Sequence, residues 1–158
     1  MNGDGEGITV RHMRIEHLAP VFHLGEKLFT LKESPSLYRT WDEYEVIDIY
    51  RNDPESCLVA EKDGRVVGFA LGTVIDKRNS PRKYGYLVWF GVDEELKSHG
   101  IGRRLFARFR EVMEKAGVQM LLVDTEARNE DALRFFEKSG FSSPQDHVYL
   151  TLRLEKGA

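Results

Sequence analysis

The sequence predicts an α/β fold built on a mixed sheet, with six to seven strands flanked by about four helices. Three observations carry this. Apolar residues alternate near the start, a continuous apolar run begins at Cys57, and helical spacing lies between. Asp63-Gly64 separates two apolar runs, the composition of a tight hairpin and so of antiparallel neighbours. From Tyr84 to Glu126 the order is strand, glycine turn, helix, strand, which requires a parallel pair and a right-handed crossover.

The elements follow in order. Residues 1–7 are polar and acidic and form a flexible start, and residues 8–158 form a single domain. Ile8 to Met13 alternates as a strand. Leu18, Val21, Phe22, Leu28 and Phe29 mark a helix, with Pro20 tolerated in its first turn. Residues 32–39 are a loop broken by Ser34-Pro35-Ser36. Thr40-Trp-Asp-Glu43 reads as a capping box, starting a second helix that runs to about Arg51 and is stopped by Asn52-Asp53-Pro54. A hairpin spans Cys57 to Lys62, the Asp63-Gly64 turn, and Arg65 to Asp76. Asn79-Ser80-Pro81 is another turn. Tyr84 to Val92 is a strand, followed by the glycine turn, a helix to Ala116, and a strand from Met120 to Glu126. Asn129 caps a short helix carrying Ala132, Leu133, Phe135 and Phe136, and Gly140 ends it. His147 to Leu154 closes the chain as a strand.

Composition narrows the function. A net charge of −3 excludes a broad electrostatic footprint for nucleic acid. No apolar run approaches the roughly 18 residues that a membrane span needs, and the first residues lack the basic and apolar regions of a secretory signal, so a cytoplasmic location is expected. Cys57 is the sole cysteine, which rules out an intrachain disulfide and a thiolate zinc site; it reads as a small buried hydrophobe. The five histidines, at 12, 17, 23, 99 and 147, form no metal-type cluster beyond the loosely helical spacing of His17 and His23, and surface or capping roles suffice for them. No metal is expected.

The richest segment is Val88-Trp-Phe-Gly-Val92 with Asp93 to Phe106 behind it. The helix stripe is Leu105, Phe106, Phe109, Val112, Met113 and Ala116. Lys97, His99, Arg103 and Arg104 crowd the helix start, where unsatisfied N–H groups and the macrodipole are already positive. Cations there are unfavourable unless an anion docks among them. Glycines that let backbone N–H groups approach a ligand complete a phosphate site. Gly100-x-Gly102-x-x-Leu105 lacks the third glycine of a dinucleotide fingerprint, and no P-loop Gly-Lys-Ser/Thr occurs.

That order of elements, with these residues, resembles the GCN5-related N-acetyltransferase (GNAT) superfamily. Lys97-Ser98-His99-Gly100-Ile101-Gly102 fits its Arg/Gln-x-x-Gly-x-Gly/Ala signature, with Lys in the first position. Asn129-x-x-Ala132, Phe136 and Gly140-Phe141 fit the second signature, with Phe136 where the family usually has Tyr. The resemblance covers about Val66 to Phe141 and implies acetyl-CoA as donor. It implies that the amides of His99 to Arg103, through Gly100, Ile101 and Gly102, hold the pyrophosphate, with Lys97, Ser98 and Arg103 at the same turn. Phe90, Gly91 and Val92 would pair with the pantetheine arm like an added strand, the amide near Val92 polarising the thioester carbonyl. Asn129, Ala132 and Phe136 would contact the cofactor from their helix.

Direct acyl transfer to an amine needs a base, often through water. In the branch that acetylates bacterial ribosomal-protein N-termini, a Glu on the fifth strand lies five residues before the Asn; Asp124 occupies that offset, with Glu126 as the alternate on the same strand face. The fourth strand offers no carboxylate, only Tyr84, Tyr86, Trp89 and Phe90. Phe136 cannot donate a proton, which leaves water, Tyr149 or Tyr86 as the acid. The implied activity is N-acetylation of a protein or peptide α-amine or lysine, or of a small-molecule amine. The alternative is a non-catalytic acyl-CoA-binding sensor or interaction module. Acceptor choice would fall to residues 32–41 and 142–147: Tyr38, Trp41 and Tyr44 could line a pocket, and Glu33, Asp42 and Glu43 could attract a cation. Pairing through the last strands would allow a homodimer.

Overall fold

The computed structural model describes residues 7–29 and 40–155. The expected flexible start lies outside the described residues except for Gly7, as does the loop at 32–39 with Glu33 and Tyr38. The chain divides into two compact units, Met1–Asp124 and Thr125–Ala158.

The first unit holds a mixed sheet in the order β1-β2-β3-β4-β5: β1 (Ile8–His12), β2 (Cys57–Lys62), β3 (Arg65–Asp76), β4 (Lys83–Val92) and β5 (Met120–Val123). The first four are antiparallel neighbours, and β4 and β5 are parallel, joined through α3 (Ile101–Lys115). Helices α1 (Leu18–Leu28) and α2 (Glu43–Asn52) precede β2. Asp63 and Gly64 both take positive φ, 53° and 75°, as the two-residue β2–β3 turn requires.

Two cores form on the two sheet faces. On one, Val21, Leu24 and Val46 of the first two helices meet Cys57, Val59, Phe69, Leu71 and Trp89. On the other, Leu105, Phe109 and Met113 of α3 are fully buried, and each such side chain contributes on the order of 1.5–3 kcal/mol. Glycines bring α3 close to the sheet. A Cβ at Gly72 would lie 2.5 Å from the Phe109 ring and 2.8 Å from the Tyr86 carbonyl oxygen, and one at Gly85 would lie 2.8 Å from the Met113 sulfur.

Some expectations are corrected. The N-cap of α2 is Asp42, whose carboxylate accepts from the Glu45 N–H at 2.8 Å, and the helix begins at Glu43. Thr40 and the expected capping box lie outside it, because Trp41 is drawn into the core: its ring stacks on Phe69 at 5.3 Å and its indole N–H donates to the Phe22 carbonyl at 2.9 Å. Trp41 is therefore a packing residue, whereas Tyr44 is 70% exposed. Strand β5 ends at Val123 rather than near Glu126. The sheet has five strands among the described residues, against six to seven expected. Residues 147–154 have no regular secondary structure. A strand exists through its ladder, and no described strand pairs with this segment, which leaves Val148, Leu150, Leu152 and Leu154 more than four-fifths exposed. His17 keeps the expected capping role, its Nδ1 accepting from the Arg14 N–H at 2.9 Å, but it is buried rather than on the surface, with Nε2 facing Glu61 at 3.0 Å. His12 Nδ1 is also buried.

Cys57 behaves as expected. It is fully buried, and burial pushes its thiol up from 9.0 to about 12, so it is no nucleophile at neutral pH. A raised folded-state pKa favours the thiol form. That stability is present below pH 9 and is lost as pH rises toward 12. Compared with Cys57→Ala, the wild-type protein should lose additional stability across this window, read by urea unfolding at stepped pH; identical pH dependence would contradict the burial of the thiol. Gly72→Ala should cost about 1–3 kcal/mol through overpacking against Phe109, with partial recovery in Gly72→Ala/Phe109→Leu. The same titration measures both.

Candidate functional site

The site begins with a fault in one strand. Along β3–β4 the register runs from Asp76↔Lys83 to Gly72↔Leu87, then resumes at Leu71↔Trp89, so Val88 is an extra residue on β4. Two successive residues, Val88 and Trp89, consequently pack into the same core. A bulge of this kind bends its strand and increases the local twist. The β4–β5 ladder ends at the same place: its last pair is Leu87↔Val123. Beyond it, β4 continues to Val92 along β3, while no described strand runs beside residues 88–92 on the other side. An open strand edge offers alternating N–H and C=O groups to an extended, amide-containing ligand. Phe90, Gly91 and Val92 lie on this stretch, with Phe90 and Val92 half-buried and Gly91 buried.

The mouth of the split carries Asp124, the residue after β5, partly buried. The Tyr86 hydroxyl donates to Asp124 Oδ1 at 2.5 Å. The sequence offers Tyr86 as an alternative acid and Asp124 as a base with no link between them; the structure joins the two. Glu126, the alternate base, lies beyond the strand in the other unit and is exposed.

At the far end of β4, Asp93 donates its N–H to the Val67 carbonyl at 2.9 Å and its carboxylate accepts from the Glu95 N–H, opening a short 3-10 turn. Ser98 and Gly100 then adopt positive φ, 75° and 77°. Gly100 is the N-cap of α3, and the first intrahelical bond runs from the Arg104 N–H to the Gly100 carbonyl. The N–H groups of Ile101, Gly102 and Arg103 precede that bond and so have no partner inside the helix. No acidic residue lies in this first turn, leaving its positive end uncompensated. Buried Ile101 anchors the helix start: it and Leu105 lie 3.2 and 2.9 Å from where a Gly68 Cβ would be. Gly68 pairs with Val92, so the cradle of amides is held against the end of the open edge. Arg103 and Arg104 are exposed, His99 is half-buried, and exposed Lys97 pairs loosely with Glu94 at 3.7 Å.

The second unit places the second motif on α4 (Glu130–Lys138). Asn129 caps it, its Oδ1 accepting from the Ala132 N–H at 3.1 Å. Phe136 is buried, its ring edge-on to Phe135 and Phe141 at 5.3 and 5.5 Å. The Phe141 N–H bonds back to the Phe136 carbonyl and Gly140 has φ 109°, the geometry of a glycine-closed helix end. Tyr149 is half-exposed in the irregular segment, not on the strand expected to aim it.

One polar residue was missed by the sequence reading. Glu45, in the first turn of α2, accepts from the Trp89 indole N–H at 3.1 Å. No spacing rule links residues 44 apart, so this pair has no signal in the sequence alone. Among the described residues no group of three or more His, Cys, Asp or Glu side chains is arranged to hold a metal, and no helix is long and apolar enough to cross a membrane.

Comparison with known proteins gives the lineage. The Acetyltransferase (GNAT) family signature matches residues 24–141. A mycothiol acetyltransferase of Propionibacterium freudenreichii is 28% identical over 148 residues, 87% of this chain and 44% of that protein. N-alpha-acetyltransferase 30 of Schizosaccharomyces pombe is 31% identical over 88 residues, 56% of this chain and 58% of its own length. The chain thus spans about half the length of these two relatives. An acetyltransferase of Yersinia enterocolitica is 29% identical over 132 residues, 82% of this chain and 88% of that one. Among solved structures, Ard1 from Thermoplasma volcanium superposes with a TM-score of 0.73 at 23% identity, covering 88% of this chain and 85% of that one. The NatC complex bound to Gag peptide and CoA gives 0.74 at 20%, covering 87% and 86%. These structures share the overall fold, and the family match extends over well over half of the sequence: the chain belongs to the GNAT acetyltransferase family.

Proposed function

We propose that the chain, acting through residues 8–158 as a single domain, is an N-acetyltransferase that moves an acetyl group from acetyl-CoA directly to a primary amine. The observation that carries this reading is the continuous path from the open β4 edge to the amides that begin α3, with Asp124 at the other end of the edge. The pantetheine amides suit an edge that lacks a strand, and the pyrophosphate suits a helix start with spare N–H groups and nearby Lys97 and Arg103. Ser98, His99, Gly100, Ile101 and Gly102 supply the remaining backbone of that turn. Asn129, Ala132 and Phe136 support the same donor by their match to the family's second signature. A relative solved with CoA and peptide, and neighbours that are aminoglycoside acetyltransferases, fit a protein or small-molecule amine as acceptor.

In the reaction the amine nitrogen attacks the thioester carbonyl, a C–N bond forms, and the C–S bond breaks. Asp124 takes the proton the amine must lose, directly or through water. Tyr86 aims the carboxylate, and its hydroxyl hydrogen points at Asp124, away from the departing sulfur. The thiolate is a tolerable leaving group that water can protonate. Tyr149 has no fixed strand to present it and is the weaker candidate acid. Phe136 has no hydroxyl and is packed among phenyl rings, the one observation that favours a non-catalytic acyl-CoA-binding protein instead.

Calorimetry with CoA beside a thiol-release assay over an amine panel separates the two: binding with thiol release supports the enzyme, and binding without release on any amine supports the sensor. Gly102→Val should weaken CoA binding at least a hundredfold while leaving the fold intact; unchanged affinity would remove the cradle from the site. Asp124→Asn should lower kcat about 10²–10⁴-fold with little change in CoA affinity, the range general-base loss spans. Tyr86→Phe should lower kcat less, because the base stays but is less well aimed. An Asp124→Asn enzyme with wild-type kcat and pH profile would contradict the assignment.

A further inference from the structure

Resting on the reading that the β4 edge takes the acyl donor, we infer that Glu45 recognises a second positive charge on the acceptor, so that the preferred substrate is a cationic amine carrying two charges rather than a simple monoamine.

The two faces of β4 are not equivalent. Gly85 points at Met113 of α3, so Tyr86, the next residue, points to the opposite face, toward the side of α1 and α2. The Val88 bulge then turns Trp89 onto that same face, in the core with Val21 and Val46. Each of these two side chains carries a carboxylate: Tyr86 holds Asp124, and Trp89 holds Glu45 at 3.1 Å. They are three residues apart on one strand, on the order of 10 Å. The opposite face is covered by α3, with Met113 against Gly85, which leaves the acceptor to approach from the α1–α2 face. There Leu122 and Met120 of β5 are 40% and 43% exposed, so α1 and α2 do not cover that part of the sheet.

Beyond the positive end of its own helix, Glu45 meets no cation among the described residues. Glu61, Glu94, Glu111 and Glu114 each face a basic side chain, and Asp42 caps a helix. Glu45 is half-buried, and among the described residues no basic group pairs with it; its side-chain partner is a neutral indole N–H. Satisfying that N–H does not require a carboxylate, since the Trp41 indole is satisfied by a backbone carbonyl. The Trp89 indole N–H uses one of the Glu45 oxygens, and the remaining lone pairs suit an ammonium. One carboxylate then serves the reacting amine and the other holds a distant charge.

The test is calorimetry on protein saturated with CoA, titrated with the linear eight-carbon diamine and with the eight-carbon amino alcohol in which a hydroxyl replaces one amine. The diamine should bind about tenfold tighter to the wild-type protein, and Glu45→Gln should erase that preference while CoA affinity stays unchanged. Should Glu45→Gln fail to fold, Glu45→Asp, which keeps the charge but withdraws it by one methylene, should weaken the diamine and spare the amino alcohol. Equal affinity for the two ligands, or a preference that survives Glu45→Gln, overturns the role of Glu45 alone. Absence of CoA binding overturns the donor reading and this inference together.

Discussion

One extra residue in β4 governs the rest of the site. A strand paired on both sides has no backbone left for a ligand, and β4 is paired on both sides only up to Leu87. Val88 adds a residue without adding a rung, and the bend that follows carries β4 away from β5. The same fault rotates the side-chain pattern, so that Tyr86 and Trp89, an odd number of residues apart, share a face. A regular strand would have placed them on opposite faces and separated Asp124 from Glu45. The opening, the edge and the placement of two carboxylates thus have a common origin.

The second constraint is distance between layers. Helix α3 can present its amides at the end of β4 only if it lies close to the sheet, and Gly68, Gly72 and Gly85 remove the side chains that would hold it off. Packing and site are therefore one problem: the buried ladder of Ile101, Leu105, Phe109 and Met113 fixes where the first turn of α3 points. Gly100, in the left-handed region, makes the sharp change of direction into that turn. Cations near it are tolerable on an exposed surface and become favourable once an anion is bound.

Much of this was legible in the chain. Asp63-Gly64 announces its turn, Asn129 its cap, Gly140 its helix end, and the spacing of Leu105, Phe109 and Met113 its buried stripe; all are local rules, and all appear as expected. The bulge was not legible, because Tyr84 to Val92 is apolar or aromatic on both faces and an inserted residue leaves no break in such a run. The end of β5 is not legible either: Asp124, Thr125 and Glu126 are polar but include no glycine or proline, and it is the departure of its partner that ends the strand at Val123. The cap of α2 fell to Asp42 and not Thr40 because the burial of Trp41 outweighs a local preference. The last segment alternates as a strand should, yet alternation gives a face and not a partner. Contacts between distant residues, Tyr86 with Asp124 and Trp89 with Glu45, needed the fold.

Each role assigned to the site depends on where the donor lies. The direct measurement is a crystal structure of the protein with CoA. The pantetheine amides should pair with the β4 backbone between Val88 and Val92, the pyrophosphate should lie on the N–H groups of residues 101–103, and the sulfur should sit at the Asp124 end of the split. Density for CoA elsewhere, with this edge and the α3 amides left to solvent, would contradict that placement.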